Sequence, residues 1–108
     1  MSTVSTHVLD TTRGKPATGV RVTLERQEGE AWTTLGDEQT NADGRVARFV
    51  PHEVDLEPGN YRLRFRTGAY QDGFYPEVAI TFLIDHPAQH YHVPLLLNPY
   101  GYSTYRGS

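Results

Sequence analysis

Hydrophobic and polar side chains alternate along much of this chain with a period of two. That period is typical of half-buried β-strands, whose successive side chains point to opposite faces. The more apolar face of each alternating run is expected to point into a common core. The residues on these faces are Val4, Thr6 and Val8; Val20, Val22 and Leu24; Tyr61, Leu63 and Phe65; Val78, Ile80, Phe82 and Ile84; and Tyr91, Val93, Leu95 and Leu97.

Turn-forming segments separate these runs at intervals of about ten residues, which is the spacing of an all-β sandwich. They are rich in Gly, Pro, Asn and Asp, as turns are. The segments are Arg13-Gly14-Lys15-Pro16, Gln27-Glu28-Gly29-Glu30, Asn41-Ala42-Asp43-Gly44, Glu57-Pro58-Gly59-Asn60 and Asp85-His86-Pro87. The sequence therefore predicts an all-β, antiparallel β-sandwich with one short helix in residues 67–73. The 108 residues contain no repeat or low-complexity linker, and we expect a single domain, residues 1–108.

Composition and charge exclude several classes of function. The formal charge is −3 and no segment concentrates Lys or Arg, so nucleic acid and anionic membranes are poor partner candidates. The absence of cysteine removes thiol nucleophiles and disulfides. The N-terminus lacks the basic start and apolar stretch of a secretory signal, and no apolar run is long enough to span a bilayer. We therefore expect a soluble, cytoplasmic protein.

The last alternating run has two unusual features. Pro94 cannot donate a ladder hydrogen bond, so it belongs at a strand edge or a bulge. The outer face of the strand near Pro94 is more apolar than is usual for a solvent-exposed surface, because it carries Leu96 and Leu97, with Leu83 on the preceding strand. Exposed apolar area of this kind usually marks an interface, so we expect an oligomer.

Histidines provide the first candidate chemistry. His7 lies on the strand face opposite Val8, where a solvated surface histidine is the ordinary interpretation. His90 and His92 are two residues apart and share one strand face, which is a permissible spacing for metal ligands with His7 as a third. No acidic or cysteine ligand accompanies them in sequence, so the metal interpretation stays an alternative. His52 and His86 adjoin prolines in turns and are expected to be solvated.

Arg45 and the C-terminal tail provide the second set of candidate functional residues. Arg45 follows the Asp43-Gly44 turn, where it is either an ordinary hairpin arginine or a donor to a planar acceptor. With no Gly-x-Ser-x-Gly elbow or phosphate-binding loop, a His–Arg pair indicates water activation, with the imidazole as base and the guanidinium on the oxyanion. The tail Tyr105-Arg106-Gly107-Ser108 is either frayed and solvated or part of such a site.

Five segments resemble the transthyretin-related family, and the resemblance runs over essentially the whole chain. Near the N-terminus these are Thr6-His7-Val8-Leu9-Asp10 with Arg13-Gly14-Lys15-Pro16-Ala17, and in mid-chain Asn41-Ala42-Asp43-Gly44-Arg45. The closing segments are His90-Tyr91-His92-Val93-Pro94-Leu95-Leu96 and Pro99-Tyr100-Gly101-Tyr102-Ser103-Thr104-Tyr105-Arg106-Gly107-Ser108. The terminal Tyr-Arg-Gly-Ser resembles the enzyme branch of the family, the 5-hydroxyisourate hydrolases, and is absent from the hormone carrier transthyretin.

The resemblance implies a fold, an assembly and a reaction. The fold is a transthyretin-like antiparallel β-sandwich of two sheets and about eight strands. The assembly is a homotetramer, a dimer of dimers, with active sites in the channel between dimers. The substrate is 5-hydroxyisourate, the unstable product of urate oxidation. Water opens its ring to give 2-oxo-4-hydroxy-4-carboxy-5-ureidoimidazoline, with neither a metal nor an organic cofactor.

The resemblance also implies roles for individual residues. His7, Arg45 and His92 match the family's catalytic residues, with His7 and Arg45 also binding substrate. We favour His92 as the general base, although the sequence leaves the choice between the two histidines open because it depends on their tautomers. Tyr105 is expected to contact the substrate and Ser103 to help place the tail. The Ser108 end closes the site.

Two departures from the family pattern and two alternative functions accompany this interpretation. The segment Gln71-Asp72-Gly73 is shorter than the family's helix and loop, which puts local stability in question, and Asn98 stands where serine is more usual. One alternative is a transthyretin-like carrier that binds an aromatic ligand in the tetramer channel. The other is an adhesion or carbohydrate-binding module, in which the histidines would be dispensable.

Overall fold

The computed structural model describes residues 2–86 and 88–108, and within them the chain forms ten strands and one short helix. The elements are β1 Thr3–Asp10, β2 Lys15–Pro16, β3 Arg21–Glu28, β4 Ala31–Gln39, β5 Arg45–Val46, β6 Gly59–Phe65, α1 Thr67–Tyr70, β7 Val78–Ile84, β8 His90–His92, β9 Leu95–Asn98 and β10 Gly101–Thr104. The prediction of an all-β chain with one short helix is confirmed.

Two sheets pack against each other, as predicted for a sandwich. One sheet has the order β4-β3-β6-β7 and is antiparallel throughout. The other has the order β10-β9-β1-β2, with β5 and β8 also paired to β1. In this second sheet β1 runs parallel to β8 and β9, so the sandwich is mostly rather than wholly antiparallel. The parallel pairing places the start of the chain beside its end, and it positions the site described below.

The predicted alternation matches the observed core. Leu63, Phe65 and Val8 are completely buried, and the other apolar positions of the five runs are buried or packed at the edge of the same cluster. Each fully buried side chain of this size stabilises the folded state by about 1.5–3 kcal/mol. On the outer face, Leu83 is exposed as expected (57%), whereas Leu97 is buried (1%) because it alternates in phase with Leu95.

The long strand β4 and the last strand β10 lack a sequence signal. β4 has no apolar alternation, and it exists because its backbone completes a ladder with β3, interrupted by an irregularity between Leu24 and Glu25. β10 folds back on β9 through a tight turn, in which the Asn98 side-chain oxygen accepts the Tyr100 N–H at 2.9 Å. The asparagine at this position therefore takes up a turn hydrogen bond, as short polar side chains do.

The helix is a single turn inside the predicted segment, and side-chain hydrogen bonds hold it to its surroundings. Thr67 Oγ1 donates to the Tyr75 carbonyl at 2.7 Å, and the Tyr70 hydroxyl donates to Asp10 Oδ2 at 2.7 Å. The Phe74 N–H donates to the Pro99 carbonyl at 2.7 Å. The short 71–73 segment is thus fixed at both ends. Across the described ranges, no helix is long and apolar enough to cross a membrane.

Candidate active site

Strand β1 brings the predicted site residues together from distant parts of the chain. On one side it pairs with β5, which sets His7 opposite Arg45. On the other it pairs with β8, which sets Ser5 opposite His92. Ser5 and His7 are two residues apart on one strand, and directly paired residues share a face, so all four side chains lie on the same face of the sheet. This face is opposite the one on which β1 presents Val8 to the core.

A depression of about 300 Å³ lies over this part of the sheet. It is lined by Ser5, Thr6, Arg45, Val46, Ala47, His90, His92 and Ser108. Three of the predicted site residues, Arg45, His92 and Ser108, therefore share one concave surface. His7 lies beside it, half-buried on β1 and paired with Arg45.

The C-terminal tail reaches the depression because its backbone is bonded to β8. The Gly107 N–H donates to the His92 carbonyl at 2.8 Å, and the two residues form an isolated antiparallel bridge. This bond directs the last residue, Ser108, into the depression. The tail is therefore held against β8 at Gly107, and Ser108 lines the depression.

The surroundings of His92 favour the neutral form of its imidazole. Its ring is half-buried, and Nδ1 lies 2.7 Å from Ser5 Oγ. Burial lowers the pKa of His92 below its usual value, and the positive charges of Arg45, His90 and His7 lower it further. A histidine shifted in this direction is neutral near pH 7 and can accept a proton.

His90 is bound to hydroxyl groups through both of its ring nitrogens. Its Nε2 lies 2.8 Å from Ser5 Oγ, and its Nδ1 lies 2.5 Å from Thr3 Oγ1. The His90 and His92 rings lie nearly parallel, with centroids 6.4 Å apart and an interplanar angle of 17°. In the described part of the chain, no three His, Asp or Glu side chains are grouped closely enough to hold a metal ion.

Two further predicted residues, Tyr105 and Ser103, lie away from the depression within a single chain. Tyr105 is 58% exposed and lines a separate groove of about 280 Å³, which also contains Phe82 and Leu83. Arg106 lines the same groove, with its guanidinium carbon 4.6 Å from the centre of the Tyr91 ring. Ser103 is exposed on β10, where it pairs with Leu96 of β9.

Sequence reasoning did not identify Ser5 as a site residue, and it considered His90 only as a metal ligand. A signal for both exists in the spacing, since Ser5 shares a strand face with His7, and His90 shares one with His92. The parallel register between β1 and β8 is the missing information, because only that register places Ser5 between the two imidazoles.

Fold and site together define a β-sandwich protein whose polar depression combines the imidazoles of His90 and His92, the guanidinium of Arg45 and Ser108. Residues 4–107 match the model of the HIUase/Transthyretin family, and the chain belongs to that family. A 5-hydroxyisourate hydrolase from Caulobacter vibrioides is 47% identical over 117 residues, which cover 100% of both chains.

Two solved structures show how closely the fold is shared. The 5-hydroxyisourate hydrolase of Klebsiella pneumoniae superimposes with a TM-score of 0.84 at 45% identity, covering 100% of this chain and 94% of that one. Sea bream transthyretin in complex with thyroxine superimposes with a TM-score of 0.86 at 27% identity, covering 96% of this chain and 93% of that one. The fold is therefore common to an enzyme and a carrier, and the side chains of the site must distinguish them.

Proposed function

We propose that this protein is a hydrolase that opens the ring of 5-hydroxyisourate to give 2-oxo-4-hydroxy-4-carboxy-5-ureidoimidazoline, a step of urate degradation. One observation carries the proposal: His92, Arg45 and Ser108 line the same depression although they come from three separate segments of the chain. The relatives named 5-hydroxyisourate hydrolase support the choice of substrate.

In the proposed mechanism, His92 acts as general base. Its Nδ1 is engaged by Ser5, which leaves Nε2 to take a proton from a water molecule. The resulting hydroxide adds to the amide-like carbonyl carbon of the substrate. The carbon–nitrogen bond of the ring then breaks, the imidazolium returns its proton to the leaving nitrogen, and the new carboxylic acid ionises. General base catalysis of this kind contributes about 10²–10⁴-fold to a rate.

Arg45 and His7 provide the remaining polar groups of the mechanism. The Arg45 side chain is exposed at the depression, where its planar fork of donors suits the flat, electron-rich ring of the substrate. We assign it the stabilisation of the oxyanion that forms when hydroxide adds to the carbonyl. His7, paired with Arg45 across β1 and β5, binds substrate and shares the proton network.

The assembled protein is proposed to be a cytoplasmic homotetramer, a dimer of dimers. Its depression is open on one side in the single chain, and a facing subunit would cover it. Tyr105 is proposed to contact the substrate in that assembly, and Ser103 to hold the tail through β10. Light scattering during gel filtration tests the assembly, with an expected mass four times that of the 12.2 kDa chain. A monomer mass would contradict it.

The activity is tested with 5-hydroxyisourate generated in place from urate by urate oxidase. The decay of its absorbance is followed with the intact protein and with His92→Asn, His7→Asn and Arg45→Ala. We expect the intact protein to exceed the spontaneous rate and each variant to lose about 10²-fold or more. His52→Asn, which removes an exposed histidine that does not line the depression, is the matched control and is expected to keep full activity.

The same experiment separates the enzyme from the two alternatives. A carrier would leave the spontaneous decay unchanged and would bind an aromatic ligand such as thyroxine in its channel. An adhesion module would show neither behaviour and would tolerate extension of the chain beyond Ser108. For the enzyme, such an extension is expected to remove activity, because the terminal residue lines the depression.

A further inference from the structure

Four side chains form a continuous line of hydrogen bonds that ends at the proposed base. Thr3 Oγ1 lies 2.5 Å from His90 Nδ1, and His90 Nε2 lies 2.8 Å from Ser5 Oγ. Ser5 Oγ lies in turn 2.7 Å from His92 Nδ1. Ser5 is buried (8% exposed), and these two imidazole nitrogens are the hydrogen-bond partners of its hydroxyl.

The chemistry of a hydroxyl links the tautomers of the two histidines. Ser5 has one proton to donate, so when it donates to one imidazole nitrogen it can only accept an N–H from the other. If Ser5 donates to His90 Nε2, then His92 must donate its Nδ1–H to Ser5, and its Nε2 carries the free lone pair. If Ser5 donates to His92 Nδ1, the proton of His92 lies on Nε2 instead. Of these two arrangements, only the first leaves His92 Nε2 able to accept a proton from water.

We propose that Ser5 and His90 are positioning residues that hold His92 in the Nδ1–H tautomer. This inference rests on the proposed function, in which His92 Nε2 is the base. His90 accepts the Ser5 proton at Nε2 and donates its own Nδ1–H to Thr3 Oγ1, so that all three hydrogen bonds run in one direction. Neither residue has to touch the substrate; both act through the imidazole of His92.

The architecture of the sheet supports this assignment. In the parallel pairing of β1 with β8, Thr3 lies opposite His90 and Ser5 lies opposite His92. All four side chains therefore lie on one face, with the two hydroxyls facing the two rings. A tautomer fixed in this way removes the inactive form of the base before substrate binds, which is the role of a third group behind a nucleophile–base pair in other hydrolytic sites.

Substitutions at Ser5 test the proposal through the presence of the hydroxyl. Ser5→Thr and Ser5→Val have the same shape and differ in the hydroxyl alone. We expect Ser5→Thr to retain activity and Ser5→Val to lose about 10- to 100-fold in kcat, with KM changed by less than about threefold. The tautomer is measured directly by ¹⁵N NMR of the imidazoles, with His92 assigned by comparison with His92→Asn. The Nδ1–H form is expected to dominate in the intact protein and in Ser5→Thr, and to be depleted in Ser5→Val.

A second pair of variants tests His90 and remains informative if Ser5→Val does not fold. His90→Gln places a carbonyl oxygen near the position of Nε2 and can still accept the Ser5 proton, whereas His90→Ala cannot. We expect His90→Gln to preserve the His92 tautomer and His90→Ala to move it toward Nε2–H, with a fall in kcat of about 3- to 10-fold. Circular dichroism and urea titration establish that each compared pair is equally folded.

The outcomes separate this inference from the proposed function. If the intact protein does not accelerate 5-hydroxyisourate decay, the function is wrong, and the NMR measurement alone decides whether Ser5 and His90 set the tautomer. If the decay is accelerated but the folded variants leave the tautomer unchanged, the positioning roles are overturned. A tautomer that shifts without a fall in kcat would also overturn them.

Discussion

Gly107→Ala provides a sharp test of the proposed site, because it adds one methyl group where the tail meets His92. A Cβ built on Gly107 would lie 2.5 Å from Cδ2 and 3.3 Å from Cγ of the His92 ring. Gly107 is not among the glycines with positive φ in the described residues, so the effect of the substitution is steric rather than conformational. The added methyl acts directly on the ring of the proposed base.

The size of the effect follows from these distances. Carbon atoms pack best at about 3.5–4.0 Å, so the methyl group is about 1 Å too close to the ring. The ring cannot rotate away freely, because Ser5 holds its Nδ1 at 2.7 Å. Either the tail or the imidazole must therefore move by about 1 Å, and a displacement of this size costs about 10²-fold in rate. We expect kcat/KM to fall by about that factor.

The assay is the decay of freshly generated 5-hydroxyisourate, compared with urea unfolding of the same samples. Stability is expected to change by less than about 1 kcal/mol, since a half-buried position near the terminus carries little of the core. Gly101→Ala is the matched control in the same tail, because its Cβ meets only the Asn98 side chain at 3.9–4.0 Å. If Gly107→Ala retained kcat/KM within about twofold of the intact protein, the tail would not form part of the site and the reasoning would fail.

Three other predictions concern pH dependence and stability. Burial is the main cause of the lowered pKa of His92, and a general base must be neutral to accept a proton. We therefore expect kcat/KM to be lost as pH falls through an apparent pKa below 6.5. A midpoint at or above 6.5 in a pH profile would contradict this. Glu25 is buried between Arg62 and Arg64, and Glu25→Gln is expected to lower the free energy of unfolding by about 1–3 kcal/mol, measured by urea titration near pH 7. An unchanged urea midpoint would refute this role of Glu25. Leu63→Ala is expected to destabilise the fold by about 2–5 kcal/mol in the same titration, and a loss below 1 kcal/mol would show that the core collapses around the gap.

The prediction for Glu25 also has a pH dependence with a definite sign. Burial alone would raise the pKa of this carboxyl, but hydrogen bonds and charges from Arg62 and Arg64 lower it overall below 4.5. A carboxyl whose pKa is lower in the folded state contributes stability above its unfolded pKa and loses it as pH falls through the folded value. The difference in unfolding free energy between the intact protein and Glu25→Gln should therefore shrink as pH falls below 4.5 and through the lowered pKa of the folded state.

Local sequence determined the sandwich and its core. Successive side chains of a strand lie on opposite faces, so an apolar residue at every second position marks the buried face. Leu63 and Phe65 follow this pattern because the burial of apolar area is the main driving force of folding. The turn segments followed from the conformational preferences of Gly, Pro and Asn, which are also local. β4 was missed because its side chains are largely exposed and its existence depends on the ladder with β3.

The outer face of the antiparallel sheet shows where periodicity misleads. Thr23 and Glu25 alternate with the core residues of β3, on the face that a half-buried strand leaves to solvent, yet both are buried. Glu25 is buried because the side chains of Arg62 and Arg64, on the neighbouring strand β6, cover its carboxylate and donate hydrogen bonds to it. Cross-strand neighbours depend on register, which a single run of residues does not contain.

The same distinction applies to the site, whose residues were predicted from the sequence but whose arrangement depends on the tertiary structure. The motif resemblance selected His7, Arg45, His92 and the terminal residue one by one, since each is recognisable in its own segment. Their meeting depends on β1, which pairs with β5 on one side and runs parallel to β8 on the other. Ser5 acquired its place between two imidazoles only through that parallel register, because hydrogen bonds across more than 80 residues of chain depend on the packed sheet and not on local spacing.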